Sequence, residues 1–93
     1  MSDEYRFKTS APAEVFAALG EELTRLGMLS DTRSSFSWPD AHPSVAGYGG
    51  NARLLREFDA VFVTLNVPAP GRFAESLRLA IAARGLDVQL EEA

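Results

Sequence analysis

The chain has no cysteine, one histidine and one lysine among its 93 residues, and each shortage closes off a class of chemistry. Without thiols there are no disulfides, no thiolate metal sites and no cysteine nucleophile, and His42 alone cannot complete a zinc site. The sequence therefore predicts neither a metal nor a cofactor. No apolar run approaches the roughly 20 residues needed to cross a bilayer. The opening Met1-Ser2-Asp3-Glu4 is acidic where a secretory signal is basic and then apolar, so a cytoplasmic chain without a membrane partner is expected. Cations are few as well: 13 acidic residues stand against 9 basic ones, for a net charge of −4. A protein tracking a nucleic-acid backbone needs clustered Lys and Arg, so nucleic acid is not an expected partner.

What is present is an ordinary globular composition, 46% hydrophobic and 24% charged, which predicts one folded domain over residues 1–93. Tyr5-Arg6-Phe7-Lys8-Thr9 alternates apolar and cationic side chains, the period of a half-buried strand. Ser10 offers a capping oxygen, Pro12 suits a first helical turn, and Glu14 suits the positive end of a helix. Phe16, Leu19, Leu23 and Leu26, with Val15 beside them, then form one helical stripe that Gly27 closes. A short edge strand is expected around Phe36 and Trp38, stopped by Pro39. Residues 39–51, rich in proline and glycine, read as the main loop.

Asn51 is placed to cap a short helix over residues 52–58, with Leu54, Leu55 and Phe58 on one side. The run from Ala60 to Val67 is the strongest strand, with Val61, Val63, Leu65 and Val67 on one face. After a turn at Pro68 to Gly71, Phe73, Leu77, Ala80 and Ile81 mark a second helix ended by Gly85. A last strand turns Leu86, Val88 and Leu90 inward.

Helices with one apolar stripe and strands with one buried face imply an α+β two-layer sandwich. The element order matches a ferredoxin-like β-α-β-β-α-β unit, with the first and third strands parallel at the centre and the last strand beside the first. In that arrangement Arg6 and Lys8 share an open face with Asp87 and Glu91 and pair with them across strands. The long connection from Trp38 to Ala60 leaves a three-stranded α/β sheet with an extra helix as the alternative.

Gly47-Tyr48-Gly49-Gly50-Asn51 ahead of a helix, with Arg53 and Arg56 nearby, reads as an anion-binding turn or as a plain turn and cap. His42 between Asp40 and Ser44 has the residue types of a hydrolytic triad, but residues so close in sequence rarely converge in its geometry. Phe62, an aromatic side chain on a polar sheet face, is expected either under the long loop or available to a partner. Trp38 suits a core position and Tyr48 an exposed contact. The candidate contact surface is Trp38, His42, Tyr48, Asn51, Arg53, Arg56 and Phe62, with no catalytic residue assigned.

Tyr48-Gly49-Gly50-Asn51, followed by Leu55, a strand, a helix and a last strand, resembles the second half of the barstar-type ribonuclease inhibitors. The resemblance implies a helix after Asn51 bearing acidic residues that occlude a basic active site; this chain has Ala52 and Arg53 there. The stretch from Ala11 to Leu19 is similar to the start of START-type ligand-binding domains, which continue with several more strands. The function expected is a non-enzymatic protein-binding module, an acidic inhibitor, immunity-type or regulatory protein, monomeric or a small homo-oligomer. Glu21, Glu22, Asp31, Asp87, Glu91 and Glu92 would steer it to a basic protein partner. The alternative is a ligand-binding or enzymatic dimer with a pocket between the sheet and the 39–51 loop.

Overall fold

Alternation along Tyr5-Arg6-Phe7-Lys8 has the consequence its period demands. In the computed structural model, which describes residues 3–38 and 50–92, strand β1 (Asp3–Lys8) buries Tyr5 and Phe7 and turns Arg6 and Lys8 the other way. Helix α1 (Pro12–Arg25) starts at its proline, with Glu14 in the first turn. Ser10 does not cap it. Its hydroxyl and amide instead donate to Asp87 at 2.6 and 3.1 Å, and these two bonds hold the Asp87 carboxyl below the usual carboxylate range.

Gly27 closes α1 as expected, at φ 95°. Its amide donates to the Thr24 carbonyl at 3.0 Å and the Met28 amide to the Leu23 carbonyl at 3.1 Å, a Schellman closure. The helix buries Val15, Ala18, Leu19 and Leu23. Leu26, expected on that stripe, lies past the last helical turn and is 43% exposed.

The segment between α1 and the central strand departs most from the sequence reading. Leu29–Thr32 forms β2, exposed along its length and carrying no alternation that would announce it. β3 (Ser35–Ser37) buries Phe36 and lies between β2 and the next strand, so it is not an edge. The helix expected over residues 52–58 is instead β4 (Asn51–Arg56) and the turn after it. Ala52 and Leu54 are buried while Arg53 and Leu55 face away, a period of two. So short a helix is marginal in isolation, whereas as a strand the segment pairs on both sides. Asn51 is accordingly the first residue of a strand and caps nothing.

β5 (Ala60–Asn66) buries Val61, Val63 and Leu65 completely. α2 (Pro70–Ala82) covers Ala74, Leu77 and Ile81, and Gly85 turns the chain at φ 85°. β6 (Gln89–Glu92) begins three residues later than the sequence suggested, although Leu86, Val88 and Leu90 do pack against the core.

All neighbouring strands pair antiparallel, in the order β2-β3-β4-β5-β1-β6. The α+β class holds, with both helices on one face: α1 over β2 to β5, α2 over β5, β1 and β6. The last strand lies beside the first. The ferredoxin-like four-strand order does not describe this sheet, nor does a three-stranded one. Three chain reversals between β2 and β5 set β5 against β1, so this pair, expected to be parallel, is antiparallel, and the middle of the sheet is β4 and β5. No helix among the described residues is long and apolar enough to cross a membrane.

Candidate contact surface on the open sheet face

The residues that alternate with the core positions all emerge on the side the helices leave uncovered, and the strand registers fix their layout. One row runs Thr32, Ser35, Arg53, Thr64, Glu4 across β2, β3, β4, β5 and β1. The next runs Leu55, Phe62, Arg6, Glu91 across β4, β5, β1 and β6. A third holds Ala60, Lys8 and Gln89.

Phe62 sits at the middle, half-buried, with Leu55 beside it 62% exposed. The Arg6 guanidinium lies over the Phe62 ring at 5.9 Å, a cation–π contact worth about 0.5–1 kcal/mol at a partly exposed site. Among the described residues it is Arg6 that lies over this ring; the loop expected to cover it, residues 39–49, lies outside them. Arg6 Nε is itself buried without a hydrogen-bond partner among the described residues, and it is paired with Glu57 Oε1 at 3.7 Å. Glu91 lies opposite Arg6 in the register, as expected, yet the ion pair goes to Glu57. Lys8 faces Gln89 rather than Asp87, which Ser10 engages.

Arg53 is exposed and forms no ion pair among the described residues. With Glu4, Thr32, Ser34, Ser35 and Thr64 it lines an open groove of about 550 Å³ that ends on Leu55 and Phe62.

Of the residues expected on a contact surface, Asn51, Arg53 and Phe62 come together on this face. Arg56 does not: it stands opposite buried Val61, on the helix side, beside Phe16 and Arg33. Trp38 is an internal anchor, its indole N–H donating to the Leu26 carbonyl at 3.0 Å and its ring meeting Phe73 edge-on at 5.7 Å. His42 and Tyr48, with Asp40 and Ser44, lie outside the described residues. The anion-binding turn loses its basis, because Gly50 and Asn51 lead into a strand and offer no helix N-terminus.

Leu55 and Glu4 were missed from sequence. Reading Asn51 to Arg56 with a period of two would have set Leu55 beside Arg53. Among the described residues no three His, Cys, Asp or Glu side chains gather in a way that could hold a metal. No family model, curated protein or solved structure matches the chain.

Proposed function

We propose that this chain is a non-enzymatic protein-binding module of the inhibitor, immunity or regulatory kind, whose contact surface is the open sheet face. One observation carries the reading: the helices cover a single face of the sheet, and the other presents Phe62 and Leu55 beside Arg53. Aromatic and arginine side chains grouped within a polar rim have the composition of binding hot spots.

The acidic residues that the sequence offered as a steering patch are largely engaged within the fold. Glu21 and Glu22 hold Arg84, Asp31 accepts the Ser37 hydroxyl at 3.0 Å, and Asp87 holds Ser10. That shifts the contact from acidic patches to the face around Arg53.

Affinity capture from the native host tests this with three variants beside the unmodified protein. Arg53→Glu and Phe62→Glu are expected to lose the partner that the unmodified protein retains, while Leu79→Glu, at an exposed position on α2, retains it. A partner lost equally with Leu79→Glu, or kept with both face variants, would move the contact elsewhere.

A further inference from the structure

We infer that the partner of this face is a second copy of the chain, docked face to face about a two-fold axis running along β5 through Phe62. The inference rests on the reading of the open face as a contact surface and specifies what covers it.

An isologous contact must be self-complementary, each residue meeting the one that mirrors it across the axis. Rotation about a line along β5 lays β4 of one protomer over β1 of the other while keeping every residue in its own row. Arg53 on β4 then meets Glu4 on β1, because both lie in the row of Thr64. Leu55 meets the aliphatic stem of Arg6 in the row of Phe62. Glu57, whose amide bonds the Ala60 carbonyl at 2.8 Å, meets Lys8, the register partner of Ala60 on the other side. Phe62 and Thr64 lie on the axis and meet their own copies.

Each charge pair occurs twice by symmetry, and no like charges face one another among these rows. Arg6, the cation nearest the centre, brings Glu57 with it. An axis across the strands through Phe62 would instead set Arg6 on its own copy, like charges at the centre of the face, so the axis along β5 is the favoured one.

The size fits weak association. With β5 on the axis, β3, β4, β5, β1 and β6 overlap their copies, and these strands of three to seven residues, about 4.8 Å apart, cover roughly 420 Å² a side, hence roughly 850 Å² in all before side-chain relief, the size of a transient interface.

Sedimentation equilibrium on the intact protein tests the proposal. The expected mass is twice that of the 10.1-kDa chain. Arg53→Glu alone and Glu4→Arg alone should each weaken association at least about tenfold by setting like charges together, and the double variant Arg53→Glu/Glu4→Arg should restore it. Both positions are exposed, so the folded monomer tolerates the changes, which circular dichroism checks.

The absence of native cysteine allows an orientation test. Facing sheets stand about 10 Å apart, beyond disulfide reach, so a short bismaleimide should join two Thr64→Cys chains but not two Leu79→Cys chains. A monomer up to about 100 µM, where a dimer of micromolar Kd would be formed, overturns the second copy as occupant. So does a dimer that both single charge variants leave intact, or one the double variant fails to restore. Host capture that still depends on Arg53 in a monomeric protein would keep the face as a contact surface and assign it to a different chain.

Discussion

Gly50→Ala is expected to lower the unfolding free energy by about 3 kcal/mol, the upper range for overpacking, and the melting temperature by about 10–20 °C in a domain of this size. A Cβ at Gly50 would lie 2.6 and 2.7 Å from two carbons of the Trp38 six-membered ring and 3.3 Å from the Asn66 carbonyl oxygen. Trp38 cannot easily give way. Its indole N–H is committed to Leu26, its ring abuts Phe73, and its backbone amide donates to Gly50 itself at 2.9 Å.

The carbonyl of Asn66 blocks the other direction. The same substitution made in a Trp38→Leu background should cost much less, because the clash and its partner are coupled. Thermal melts of the two singles and the double decide it: a Gly50→Ala protein melting within a few degrees of the parent would show that the indole has room to move.

Glu22→Gln should remove about 2 kcal/mol at pH 7, together with much of the stability lost on acidification. The Glu22 side chain is only 8% exposed, and it joins α1 to the turn after α2 by accepting from Arg84 Nη2 at 2.8 Å and Arg25 Nε at 3.1 Å. Breaking a fully buried pair can cost about 3–5 kcal/mol. The lower figure applies here because Arg25 is largely exposed and Arg84 about a third exposed, so both can turn to water.

Hydrogen bonds from Arg84 and then Arg25 pull the Glu22 carboxyl below its ordinary value of 4.5 against the opposing effect of burial. A carboxylate whose folded pKa is depressed stabilises above its unfolded pKa and loses that contribution as pH falls through the folded one. The parent should therefore weaken progressively below about pH 4.5. Urea titrations at stepped pH should give a shallower acid limb for Glu22→Gln. Equal slopes would place the acid sensitivity elsewhere, with Asp87 the next group to examine since its pKa is depressed too.

The apolar contents of the layers were legible before the structure, because a dominant period announces itself. β1, β5 and both helices carry their buried faces in two- and three-to-four-residue repeats, and Gly27 and Gly85 mark the stops through conformations that favour glycine. Residues 51–58 were not legible. Leu54, Leu55 and Phe58 satisfy a helical spacing as well as Ala52 and Leu54 satisfy a strand, and only the flanking strands choose between them. Phe58 ends 98% exposed in the turn. β2 was invisible for a different reason: an edge strand exposed along its whole length has no face to bury and therefore no pattern.

The candidate surface divides in the same way. Phe62 and Arg53 drew notice as residues, but their neighbours depended on which strands lay side by side. Alone, then, the sequence determined that helices and strands would each bury one face, and which side chains of β1 and β5 would point inward. The tertiary structure alone decided that β4 is a strand between β3 and β5, that Arg53, Thr64 and Glu4 form one row, and that Trp38 turns inward to fix Gly50. The physical reason is that alternation is local, whereas register and strand order are set by hydrogen bonding between segments far apart in the chain.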